Sequence, residues 1–232
     1  MSSSKGLGLR AHDLTKILPP ELGRFLFSRS VYREQVEFNP EGTLAVPDLF
    51  DEYDRCWLAY AKGGDEDLAR VFMLSQTANV PEKKEMFLPR FREVAYLLQG
   101  GKESLESHFK EKKGSDLTKE ENEILEERII YAEVWLKNLA PEEFRFEIKE
   151  EIITTLYPKF FAKLAEEVES SKTPEELEKK IYELIKDSNI ASKEAFNEIY
   201  KVLTGKTHGP KAAWLIWENK DKATEVFKKV SK

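Results

Sequence analysis

A chain of 232 residues is long enough for one large domain or two modest ones with a real core. Apolar residues make up 41% and charged residues 34%, a charge-rich mixture that favours soluble helices. The net charge of −6 argues against a uniformly basic nucleic-acid binder, but both ends are basic. Residues 1–33 carry six Lys/Arg against two acids, and residues 204–232 carry seven Lys against three acids, a local excess of +4 at each end.

The chain opens "MSSSKGLGLR", where Ser, Lys and Gly crowd together before any apolar periodicity begins. "AHDLTKILPPELGRFLFSR" then predicts a short helix, a break at Pro19-Pro20 and a second helix with Pro20 at its first position. Leu22, Phe25 and Leu26 share one face of that second helix. "VYREQVEF" alternates apolar and polar residues from Val31 to Phe38 and predicts the one strand of the chain, followed by a turn at "NPEG".

From residue 47 the pattern is helical. Phe50, Tyr53, Trp57 and Tyr60 follow the spacing of one buried stripe, which Gly63-Gly64 ends. Leu68, Val71 and Phe72 mark a further helix. Phe91, Val94, Ala95 and Leu98 mark another, stopped at Gly100-Gly101. Residues 101–117 are polar and weakly periodic, which predicts a loosely packed connection with one short helix.

Thr118 and Glu121 have the spacing of a capping box, and the longest helix follows with Leu125, Ile129, Ala132 and Leu136 as its stripe. Pro141 and Pro158 open new segments. Thr173, Pro174 and Glu176 repeat the capping pattern ahead of Leu177, Ile181, Leu184 and Ile185. Ser192 is the expected cap of the next helix, whose stripe is Phe196, Ile199, Tyr200 and Leu203 and whose stop is Gly205. Two short helices near 210–218 and 220–230 close the chain. The fold class expected is mainly α, a helical bundle or cage preceded by a small α/β segment, with no internal repeat.

Few residues offer catalytic chemistry. There is no G-x-S-x-G, H-E-x-x-H, Walker-type loop or G-x-G-x-x-G. His12, His108 and His208 are scattered and, with the single Cys56, give no zinc spacing, so no metal is expected. One cysteine also excludes an internal disulfide and suits a reducing cytosol. No apolar run approaches the length of a membrane span and no signal peptide is visible, so a cytoplasmic location is expected. In "FDEYD", Asp51, Glu52 and Asp54 could suggest paired carboxylates, but Asp51 and Asp54 are expected on the solvated face beside the Phe50/Tyr53/Trp57 stripe.

Several stretches resemble class I lysyl-tRNA synthetases, in family order. "MSSSK" resembles the mobile signature loop, whose preceding lysine is absent here. "LPPELGRFLFSR" resembles the segment after that loop, and "LFDEYDR" the next helix. "PEEFRFEI", "IYELIKDSNI" and "AFNEIYKVLTGKTHGPKAAWLI" resemble successive parts of the helical C-terminal region. In the last of these Ala213 stands where Gly is frequent. Nothing in the chain resembles the upstream catalytic domain with its HIGH-type motif.

The resemblance implies a C-terminal half with three parts: a signature loop and stem-contact segment at 1–46, a helical subdomain at 47–140, and an anticodon-binding helix cage at 141–232. Met1, Ser2, Ser3, Ser4 and Lys5 would lie against the ATP triphosphate of the parent enzyme. There Lys5 would offset charge on departing pyrophosphate, but only with the upstream catalytic domain present. The partner implied is tRNA(Lys). Arg10, Arg24, Arg29 and Arg33 are candidates for its backbone, or else pair with Asp13, Glu34 or Glu37. Lys206 and Lys211 are candidates for contact at the anticodon end. Trp214 and Trp217, three apart, would be either base-stacking platforms or core side chains. ATP belongs to the parent enzyme, and no cofactor is expected on this chain itself. Three readings stay open: a tRNA-binding part of such a synthetase, a helical interaction domain with no RNA role, or a tRNA-binding paralogue without aminoacylation.

Overall fold

The computed structural model describes residues 11–30, 33, 35–149 and 154–231. Among these residues the chain is helical, with no strand. It divides into two compact units, one formed by 1–95 and 107–144, the other by 96–106 and 145–232.

In the first unit, α1 (Ala11–Ile17) and α2 (Pro20–Ser28) meet at Pro19, which cannot continue a helix but leads well into one. Leu22, Phe25 and Leu26 are buried. α3 (Ala45–Lys62) stops at Gly63, whose φ of 79° few side chains tolerate. α4 (Glu66–Ser75) starts under Asp65, whose carboxylate accepts from the amides of Asp67 and Leu68, both at 3.0 Å. Only Phe72 of the expected Leu68/Val71/Phe72 stripe is buried, and Leu68 stays 37% exposed. Phe72 packs against Tyr53, Trp57 and Tyr60 at ring separations of 5.5, 5.4 and 5.1 Å.

α5 (Phe91–Leu98) stacks Phe91 on Phe50 at 4.0 Å. α6 (Glu103–Lys113) is longer than the connection expected there, because Leu105 and Phe109 anchor it from inside. α7 (Lys119–Asn138) carries its capping box: the Thr118 hydroxyl accepts from the Glu121 amide at 3.3 Å, and Glu121 accepts from the Thr118 amide at 2.8 Å. Its buried stripe ends on Trp135 rather than Leu136. A 3-10 turn at Glu142–Phe144 follows.

The second unit packs α8 (Pro158–Ser170), α9 (Pro174–Asp187), α10 (Ser192–Thr204), α11 (Ala212–Glu218) and α12 (Lys220–Val230) around one core. That core includes Phe161, Leu164, Ile181, Ile199, Ile216 and Phe227. Thr173 caps α9 by accepting from the Glu176 amide at 3.2 Å. The residue capping α10 is Ala191, not Ser192, which is the first helical residue and makes no side-chain cap. Gly205 closes α10 at φ 74°, in the left-handed region.

The expected α/β segment is corrected. Val31, Tyr32 and Glu34 lie outside the described residues, but Gln35–Phe38 form no strand and Arg33 has φ 77°. A left-handed residue breaks the extended path, and no second strand exists among the described residues to accept a ladder. No helix there is long and apolar enough to cross a membrane, and no group of His, Cys, Asp and Glu there could hold a metal.

Candidate nucleic-acid interface

The candidate cations of the first unit have different fates. Met1–Lys5 and Arg10 lie outside the described residues. Arg24 is exposed on α2 and donates to the Gln76 carbonyl at 3.1 Å. A guanidinium has five N–H donors, so this one contact leaves most of its capacity for another acceptor. Arg29 pairs with Glu52 of α3, a partner other than those expected, of which Glu34 lies outside the described residues, and its buried Nε meets no acceptor. It lines an open cavity of about 400 Å³ with Phe25, Arg55 and Cys56. Arg33 is exposed in the turn after α2.

The acids of "FDEYD" are all engaged. Asp51 receives Arg90 through contacts of 3.0, 3.1 and 2.5 Å, and Glu52 receives Arg29. Asp54 corrects the expectation of a solvated face. It is 9% exposed and accepts two bonds from Arg128, at 2.9 and 2.5 Å, with Arg128 itself 2% exposed. Arg128 also donates to the Pro89 carbonyl. Burial raises the Asp54 pKa, against the pull of the Arg128 guanidinium. The signal for this pair lies in the spacing: Asp54 falls four residues after Phe50, and Arg128 three after Leu125, so each shares its helix's buried stripe. With an arginine on each carboxylate, this cluster has no free pair for acid–base work.

In the second unit, lysines sit over rings. Lys206 Nζ lies 4.5 Å from the Phe146 ring centre and donates to the Arg145 carbonyl. Lys211 Nζ is 4.6 Å over Trp214, and Lys220 Nζ is 4.7 Å over Trp217. Lys220 also donates to the Ser171 carbonyl at 3.0 Å, which satisfies the end of α8. Trp214 takes the core alternative, at 6% exposure, with its indole N–H unpaired. Trp217 is half-buried against the same core.

The "LTGKTHGP" turn has a packing reason. A Cβ on Gly209 would stand 2.7 Å from Tyr200 Cε1 and 3.3 Å from Phe146 Cδ1, so only glycine fits without displacing a ring. Tyr200 donates its hydroxyl to the Pro210 carbonyl, and burial pushes its pKa up. The turn thereby sets Lys206, Phe146 and His208 together, with Phe146 and His208 edge-to-face at 6.0 Å.

No family model matches the chain. It is similar to the lysine–tRNA ligase of Archaeoglobus fulgidus, 29% identical, with 93% of this chain and 42% of that protein covered. The lysine–tRNA ligase of Pyrococcus furiosus is 33% identical, with 92% and 43% covered. That of Treponema pallidum is 27% identical, with 92% and 42% covered. The chain thus spans less than half the length of the curated relatives it matches. Over nine-tenths of its residues it is related to class I lysyl-tRNA synthetases, and it corresponds to their C-terminal part.

Proposed function

We propose that this chain is the tRNA-binding portion of a cytoplasmic lysine–tRNA ligase, positioning tRNA(Lys) and recognising its anticodon. The observation that carries the reading is the alignment of more than nine-tenths of the chain with ligases of which it covers 42–43%. Residues 141–232 are assigned to the anticodon arm, 1–46 to the signature loop and tRNA stem, and 47–140 to the helical support between them.

Of the candidate arginines, Arg24 is exposed and in no ion pair among the described residues, which suits it to a phosphate, and Lys206 and Lys211 are the cations for the anticodon end. Trp217, half-buried, retains more accessible ring than Trp214. Met1–Lys5 would meet ATP only beside the catalytic domain that the longer relatives carry, so the chain by itself is assigned no lysine activation. Arginines and lysines hold the RNA backbone in register, while exposed rings and base edges supply the selectivity.

The test is a titration at fixed salt of an anticodon stem-loop with the lysine sequence against one with scrambled loop bases. Tighter binding of the lysine loop, weakening steeply as salt rises, is expected. Equal affinity for the two loops leaves only general phosphate attraction and overturns the assignment.

A further inference from the structure

Buried Trp214 leaves the second unit in need of a ring that a base could reach. Of the described Phe, Tyr and Trp side chains of that unit, Tyr182 alone is more than half exposed, at 52%. It stands on α9 with its ring 5.4 Å from Phe196 of α10, edge-to-face at 67°. Phe196 is half-buried and packs against the core, so it holds Tyr182 from one side and leaves the outer surface of the ring open. Among the described residues the Tyr182 hydroxyl has no hydrogen-bond partner.

The neighbours suit a nucleic acid better than an apolar protein face. Lys179 and Lys186 lie three residues before and four after Tyr182, hence on the same side of α9, which also carries Glu178 and, two turns before Tyr182, Glu175. Lys193 lies three residues before Phe196 on α10. All three lysines are exposed, and none takes part in an ion pair among the described residues. An open π-face beside uncommitted cations is the arrangement by which proteins hold single-stranded bases and their phosphates.

We infer that Tyr182, braced by Phe196, is a base-stacking platform for an unpaired nucleotide of the RNA, with Lys179, Lys186 and Lys193 at its phosphates. The inference rests on the tRNA-binding reading above and adds the side chains that hold the base.

The test uses the full chain and three variants, Tyr182→Ala, Tyr182→Phe and Trp217→Ala, titrated with the lysine and scrambled stem-loops. Tyr182→Ala is expected to bind the lysine loop about 5- to 150-fold more weakly, the span associated with losing one base–ring stack. Tyr182→Phe keeps the ring and should bind as the parent does. Both Tyr182 variants should unfold at the parent's urea midpoint, because Tyr182 contributes little buried area. Trp217→Ala removes a ring packed against the core and should unfold at a lower one, so its titration is made well below that midpoint. A 4-thiouridine in the loop of the lysine RNA should crosslink to the peptide holding Tyr182 in the unaltered chain.

If the parent prefers the lysine loop and Tyr182→Ala binds equally well, the platform is overturned while the anticodon reading stands. Loss confined to Trp217→Ala moves the base to that ring and also overturns it. If Tyr182→Ala weakens both loops alike and the parent does not distinguish them, the platform stands and the anticodon reading falls. A parent chain that dimerises in sedimentation, with Tyr182→Ala monomeric and RNA binding unchanged, assigns the face to a second copy and overturns the platform.

Discussion

Two sets of cations, one in each unit, are held differently, although each unit also has cations of the other kind. In the first, Arg29, Arg90, Arg92 and Arg128 each meet a carboxylate: Glu52, Asp51, Asp48 and Asp54. In the second, Lys206, Lys211 and Lys220 each lie over an aromatic ring. A carboxylate neutralises a guanidinium and leaves little field for a ligand. A ring attracts a cation through its quadrupole but leaves the full charge in place. Net charge alone therefore misleads about where phosphate can be met. A chain at −6 overall still presents Lys211 and Lys220, which are set over rings and take part in no ion pair among the described residues.

The contrast is broken most severely at Asp54. Asp54→Ala strands the Arg128 guanidinium, 2% exposed, with the Pro89 carbonyl as its remaining acceptor. Removing one partner of a buried pair costs about 3–5 kcal/mol, so urea unfolding should show a loss of that order. Replacing both partners by apolar residues, Asp54→Leu with Arg128→Met, should recover much of it, since no charge is then left buried. If the double variant is no better than the single one, the pair does more than neutralise itself.

Asp54 also marks where sequence reading stopped. Capping at Thr118 and Thr173 and the stops at Gly63 and Gly205 were legible because each depends on neighbours within four residues. The fate of Asp54 depends on an arginine 74 positions away, which no local pattern displays. The strand expected at Val31–Phe38 failed for a related reason. Alternation fits an extended segment, but a strand needs a partner, and the left-handed Arg33 removes the extended path. At the candidate site, the sequence pointed to two tryptophans, and burial separates them. Tyr182 was overlooked because Glu and Lys on either side gave it the look of an ordinary solvated helix face. Ala213, expected to alter contacts at the anticodon end, is 3% exposed in the core, so its methyl group is packing and not a change to the surface.

A smaller effect is expected at Gly209. Its added Cβ in Gly209→Ala would fall 2.7 Å from the Tyr200 ring and 3.3 Å from Phe146, so both must shift. Overpacking of this kind costs about 1–3 kcal/mol. Because Lys206 lies over Phe146, the variant should also weaken RNA binding in proportion to the displaced lysine. A stable Gly209→Ala protein with unchanged RNA affinity would show that Lys206 does not depend on the Phe146 ring for its position.

The smallest expected effect tests the contrast most directly. Lys211→Met keeps a long side chain over Trp214 while removing the charge. An exposed cation over an indole contributes about 0.5–1 kcal/mol, so stability should fall by no more than that. If the ammonium also meets phosphate, the salt dependence of RNA binding should lose roughly one unit of slope in a log–log plot. The two measurements separate the roles. A stability loss with an unchanged salt slope makes Lys211 a cover for the buried Trp214. A reduced slope with stability unchanged makes it a phosphate contact, and the ring then serves to hold the lysine outward. The matching change in the first unit, Arg92→Met, removes a guanidinium already paired with Asp48 at 2.5 Å, and should leave the salt slope as it was. Equal slopes lost in both units would erase the distinction between cations cancelled by carboxylates and cations set over rings.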